Sequence, residues 1–139
     1  MIELDNETTL QVNENFLNSI ASLFTDKEIE LIVTTNVHMR EINKEHRNID
    51  TDTDVLSFPY IDMPMSPLGS IVISDEHVRV KALEFSHTQD DELTLLFIHG
   101  LLHLLGYDHE VDAGEMREKE KELIEKFNLP NSLIIRTQG

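Results

Sequence analysis

Thr88-Gln-Asp-Asp-Glu-Leu-Thr-Leu-Leu-Phe-Ile-His99-Gly100-Leu-Leu-His103-Leu-Leu-Gly106-Tyr-Asp-His109 is the stretch around which the rest of the chain has to pack. Thr88 followed by Asp91 has the form of a helix-starting cap, and Leu93, Leu96, Phe97, Gly100 and Leu104 recur at helical intervals. The spacing predicts a largely buried helix, with Gly106 as its C-terminal stop. His99 and His103 are one turn apart on one face of it, close enough to share one ion. Gly106 permits a left-handed backbone, and the turn through Tyr107-Asp108 can bring His109 back toward the pair. Three histidines leave one tetrahedral position open, which is the mark of a catalytic zinc site, because water held there has its pKa lowered to about 7. The expectation is one Zn2+ per chain, held by His99, His103 and His109 at the end of a central helix. Asp108, Glu110 and buried backbone carbonyls are candidates to fix the imidazole tautomers, with Asp108 preferred.

Outward from this helix, elements of both kinds are interspersed without strict alternation. Val12, Phe16, Leu17, Ile20, Leu23 and Phe24 form the apolar stripe of a first helix. The β-branched run from Ile29 to Thr35 suits a strand, followed by a short helix carrying Met39 and Ile42. Val55-Leu-Ser-Phe58, stopped by Pro59, and Ser70-Ile-Val-Ile-Ser74 are further strands. A helix begins at Asp75, with Val78, Ala82 and Phe85 at helical spacing. Asp112-Ala-Gly-Glu115 caps a last helix with Met116, Leu123, Ile124 and Phe127 inward, and the tail from Asn131 to Gly139 is expected to fray. The fold class is therefore α+β, with a mixed sheet of about four strands packed with helices in a single domain spanning residues 1–139.

The composition narrows the chemistry. Cysteine is absent, so a transition metal has to be held by nitrogen and oxygen. No stretch approaches the roughly 20 apolar residues that cross a bilayer, and the N-terminus lacks the pattern of a leader, so no membrane partner and a cytoplasmic location are expected. A net charge of −16 disfavours non-specific attraction to polyanions.

Histidines four apart on a helix are often bland core residues, but a helix this apolar would not bury two imidazoles uncompensated, since an unpaired buried polar group costs about 1–3 kcal/mol. Zinc peptidases of the His-Glu-x-x-His class place their general base directly after the first histidine, where this chain has Gly100. Peptide hydrolysis would need a base from elsewhere, such as Glu110 or Asp108.

Asn43-Lys-Glu-His-Arg47, Thr53-Asp-Val-Leu-Ser-Phe-Pro59, Leu68-Gly-Ser-Ile-Val-Ile73 and the histidine segment together resemble, in order, the YbeY family of bacterial endoribonucleases. The resemblance implies a single-domain α+β fold with zinc on the three motif histidines. It also implies cleavage of single-stranded RNA, maturation of the 3′ end of small-subunit ribosomal RNA, and a part in ribosome quality control. The family's motif arginine falls on Arg47, which would contact a phosphate, so that Arg47, His99, His103 and His109 make up the catalytic set. Arg40 and Lys44 lie at helical spacing with Arg47 and would either extend a cationic strip or form a solvated face with Glu41 and Glu45 as partners. Ser70 stands where the family usually has aspartate, Asp52 where it has proline, and His46 where an aromatic is common; Ser70 bears on activity if that aspartate orients the metal or the substrate. Two rival readings are a non-catalytic ribosome-assembly factor with zinc as a fold staple, docking on a basic ribosomal protein, and a metallohydrolase acting on peptides or small molecules.

Overall fold

Short runs of β-branched and aliphatic residues build the sheet, and longer amphipathic stretches between them supply the helices. The order is β1 (Ile2–Asn6), α1 (Glu14–Ala21), β2 (Ile29–Thr34), α2 (Asn36–Arg47), β3 (Val55–Pro59), β4 (Gly69–Ser74), α3 (Asp75–Glu84), α4 (Gln89–Leu104), α5 (Glu115–Lys126) and α6 (Asn131–Gln138). The structure, a computed structural model, describes residues 1–61, 63–108 and 112–138. Among them no helix is long and apolar enough to cross a membrane.

The four strands lie in the order β1-β2-β4-β3, with β1, β2 and β4 parallel and β3 antiparallel to β4. This is the mixed sheet of a small α+β domain that the sequence predicts. The strand β1 has no counterpart in the sequence reading. Ile2 and Leu4 alternate with acidic residues over too short a run to stand out, and the register Ile2 to Ile29 is held by β2 and by Asn18 Oδ1, which accepts from the Ile2 N–H at 2.9 Å.

The period of two along the strands sorts side chains to two faces. Ile29, Leu31, Val33, Ile71 and Ile73 pack with Leu17 and Ile20 of α1 and with Phe97, Ile98 and Leu101 of α4 in the main core. Leu56, Val72, Ile32 and Phe58 face the other way, under Met39 and Ile42 of α2. Ser70, paired with Glu30 and Phe58 in register, is on this second face.

The helix α4 begins as read, the Thr88 hydroxyl accepting from the Asp91 N–H at 3.0 Å. From Glu92 to Leu104 every residue is buried except His99 and His103. A Cβ placed on Gly100 would come within 2.8 Å of Ile71 Cγ2, so the glycine is what lets α4 lie directly on β4.

The C-terminus departs from expectation. Residues 131–138 form α6 rather than a frayed tail. Eight residues are too few for a helix to persist alone. Leu133, fully buried against Leu95 and Ile124, and Arg136, described below, tie α6 down.

Gly100→Ala should be destabilising by about 1 kcal/mol, because crowding in a packed core costs about 1–3 kcal/mol while the helix gains about 1 kcal/mol from losing a glycine. Denaturant midpoints of the two proteins measure it, and a more stable variant would contradict the close packing.

Candidate active site

The end of α4 is closed by a helix-stop motif that also serves the histidines. Gly106 adopts φ 103°, its N–H donates to the His103 carbonyl at 3.0 Å, and the Tyr107 N–H donates to the Leu102 carbonyl at 3.0 Å. This turn swings the Tyr107 carbonyl under the His103 ring, 3.0 Å from Nδ1. His99 Nδ1 lies 2.9 Å from Oε1 of Glu120, a buried carboxylate of α5. Of the orienting groups expected from the sequence, a backbone carbonyl takes this role for His103, while Glu120, not expected, takes it for His99; Asp108 lines the cleft, and Glu110 lies outside the described residues.

The tautomers follow from the partners. A carbonyl only accepts, so His103 carries its proton on Nδ1, and the carboxylate of Glu120 draws the His99 proton to Nδ1 in the same way. Both Nε2 atoms are then lone-pair acceptors, yet they stand 3.2 Å apart. Two lone pairs converging at that distance suit a cation between or beside them, and orientation of each ring by a hydrogen bond on its other nitrogen is the usual arrangement of metal-ligating histidine. The donor set thus fits a nitrogen-ligated divalent ion. Among the described residues no group of three or more histidines, cysteines or carboxylates that can hold a metal is assembled, and His109 and Glu110 lie outside them.

A cleft of about 490 Å³ opens beside the histidine pair. Arg47 lines it from the last turn of α2, Asp54 to Ser57 from β3 and its approach, and Gly106 to Asp108 from the helix stop. Among the described residues Arg47 forms no ion pair, whereas Arg40 is held by Asp50 at 2.8 Å. The Arg40 hydrogen bond holds the Asp50 carboxyl below its ordinary pKa. Of the expected strip of Arg40, Lys44 and Arg47, Arg40 is thus paired with Asp50 and Arg47 lines the cleft.

The acidic turn Asp50-Thr-Asp-Thr-Asp54 is knitted to three different helices. Asp50 meets Arg40 of α2, Asp52 meets His77 of α3 at 2.8 Å, and Asp54 Oδ2 accepts from Arg136 Nη2 of α6 at 2.9 Å. Arg136 is anchored in turn by its Nε, which donates to Glu92 Oε2 at 3.2 Å, and Glu92 Oε1 lies 2.8 Å from His87 Nε2. The side chains of Glu92 and His87 are buried, so this chain of contacts runs from the core to the cleft wall. His87 and His77, which carried no role in the sequence, hold structure here.

The three departures from the family pattern find places. Ser70 is on the sheet face opposite α4, where its hydroxyl contacts Tyr60 and donates to Glu30 Oε2 at 2.9 Å, so it does not enter the histidine site. Asp52 has His77 as partner, and the His46 ring keeps an aromatic contact, 5.3 Å from the Phe58 ring. Glu120, Glu92 and Arg136 were missed by sequence reasoning. Glu120 had a signal: it falls on the stripe of Met116, Leu123 and Ile124, where a carboxylate needs a buried partner.

By its fold and cleft the molecule is a small α+β domain built around a pair of helix-borne histidines. Residues 2–128 match the family model described as Endoribonuclease YbeY. A Sulfurimonas denitrificans protein named Endoribonuclease YbeY is 65% identical, covering 100% of each chain. One of the same name from Sulfurovum sp. is 57% identical over 98% of this chain and 97% of its own. A Thermotoga maritima protein solved in solution superposes with a TM-score of 0.60 at 28% identity, over 99% of this chain and 92% of that one. The chain belongs to the YbeY endoribonuclease family.

Arg136 is beyond the residues matched by the family model, and its contacts predict a measurable dependence on α6. Arg136→Ala strips one cation from buried Glu92 and the ion-pair partner from Asp54, which keeps the Val55 N–H, and should cost about 2–3 kcal/mol in chemical denaturation, somewhat less than a fully buried pair because His87 remains on Glu92. A loss below about 0.5 kcal/mol, the scale of an ordinary surface substitution, would refute the anchor.

Proposed function

We propose that this chain is a zinc-dependent endoribonuclease that cleaves single-stranded RNA in the cleft between Arg47 and the histidine pair, in the maturation of ribosomal RNA. Family membership supports the reaction, and the single observation that carries the site is the convergence of the two Nε2 atoms at 3.2 Å with both Nδ1 atoms tied to acceptors. His99 and His103 are two of the proposed ligands, and His109, next after Asp108, is the third. Zinc, when bound, supplies Lewis acidity at a scissile phosphate.

The chain's own residues have separable tasks. Glu120 and the Tyr107 carbonyl keep the Nδ1 protons in place, so that both Nε2 lone pairs stay directed at one point. Arg47 presents a planar pair of donors to a phosphate and stabilises the charge that grows on its oxygens. Gly100 occupies the position after the first histidine, so the base that peptidases carry there is replaced by contact with the sheet. The RNA is the proposed partner, with ribosomal proteins as docking sites for a surface of net charge −16, and the cytoplasm as the place of action.

Purified protein and its variants test this side by side on defined RNA. Arg47→Ala should lower cleavage by about 10²–10³-fold while metal content is kept. His103→Ala should lose both metal and cleavage. Glu120→Gln should weaken metal affinity by about 10–100-fold, read by competition with a chelator. Cleavage persisting in metal-free His103→Ala protein would defeat the proposal.

A further inference from the structure

The outer edge of β3 leaves backbone groups open to the cleft. In an antiparallel ladder, residue pairs that exchange both N–H···O bonds alternate with pairs that exchange none. The Ser74 N–H donates to the Asp54 carbonyl at 2.9 Å and the Tyr60 N–H to the Leu68 carbonyl at 3.1 Å, and the register between them opposes Leu56 to Val72 and Phe58 to Ser70. Leu56 and Phe58 therefore turn their backbone groups to β4. Those of Val55, Ser57 and Pro59 point away from it.

This edge is blocked on either side of Ser57. The Val55 N–H is taken by Asp54 Oδ1 at 2.8 Å, and the same carboxylate is held by Arg136. Pro59 has no N–H. Ser57 is left presenting one donor and one acceptor side by side, and among the described residues neither has a partner. Val55, Leu56, Ser57 and Pro59 line the same cleft as Arg47, His99 and His103.

We infer that the Ser57 N–H and C=O grip the Watson–Crick edge of one unpaired nucleotide of the RNA, beside the phosphate held by Arg47. An extended peptide would add to a strand edge through a repeating ladder, which Asp54 and Pro59 interrupt here. A nucleobase asks for one planar donor and acceptor pair, and each of the four bases offers an adjacent donor and acceptor on that edge. Recognition of this kind tolerates sequence but requires that the base be unpaired, because in a duplex the same edge is already used. Single-strand preference then has a structural origin in β3. The inference rests on the endoribonuclease reading.

Ser57→Pro removes the outward N–H without touching the β3–β4 ladder, and Ser57→Ala is the reference that retains both backbone groups. On single-stranded RNA, Ser57→Pro should fall about tenfold below Ser57→Ala in kcat/KM, chiefly through KM, with equal metal content and melting temperature. In parallel, the wild-type protein is given uridine oligonucleotides carrying one N3-methyluridine, which keeps stacking and blocks the base edge. Cleavage next to one methylated position should fall about tenfold, and the fall should be smaller in Ser57→Pro, which retains only the Ser57 C=O. Equal activity of the two variants, or indifference of the wild type to methylation at every position, overturns the inference. If Ser57→Pro fails to fold, the methylated substrates decide alone. Loss of peptide hydrolysis in Ser57→Pro with RNA cleavage intact would assign the edge to a peptide and overturn it. Wild-type protein inert on all RNA would instead remove the endoribonuclease reading, and this inference with it.

Discussion

The direct contact of α4 with the sheet at Gly100 and Ile71 is the constraint on which the other features depend. It buries the helix on nearly all sides, so that His99 and His103 are the two positions between Glu92 and Leu104 that keep access to solvent. With the helix axis held against β4, the histidine rings are carried on a rigid element beside the edge of β3 rather than on a loop. The substitution of glycine for a peptidase glutamate is thus part of the packing as well as of the chemistry. The residue that would supply a base to a peptide bond is given up for the approach that seats the pair.

A second layer of organisation is electrostatic. The protein carries many more carboxylates than cations, and around the cleft several basic side chains are already committed to structure: Arg40 to Asp50, the His77 imidazole to Asp52, and Arg136 to Asp54 and Glu92. These pairs fasten the turn before β3 to α2, α3 and α6, and so set the wall of the cleft. Among the described residues Arg47 takes no part in such a pair, which leaves its guanidinium available to a phosphate. On the proposed reading, an acidic protein handling an acidic polymer works through a local cation and a metal, with affinity confined to the cleft instead of spread over the surface.

Glu92 shows how the core and the cleft communicate. A carboxylate buried in the first turn of α4 sits near the positive end of the helix dipole, and His87 and Arg136 supply it with further partners. Because Arg136 also holds Asp54, whose other oxygen takes the Val55 N–H, the C-terminal helix helps decide which backbone groups of β3 remain open. A segment outside the family model's matched residues thereby shapes the edge of the cleft.

Periodicity by itself determined the buried helix, its Thr88 cap, its Gly106 stop and the shared face of His99 and His103, because these are local properties of a 3.6-residue repeat and of a glycine that accepts positive φ. It also determined three of the four strands, β2, β3 and β4, and the α+β class. Other features were decided only by tertiary structure. The strand β1 and the helix α6 are too short to declare themselves and exist through what they pack on. Ser70 could be assigned to a face only once the register of β4 was known, since one residue of slip moves a side chain to the opposite side of the sheet. Glu120 and Arg136 reach their partners across 21 and 44 residues of sequence, a pairing that spacing does not encode. The open edge at Ser57 belongs to the same class, because which backbone groups are free depends on what the neighbouring strand has already taken.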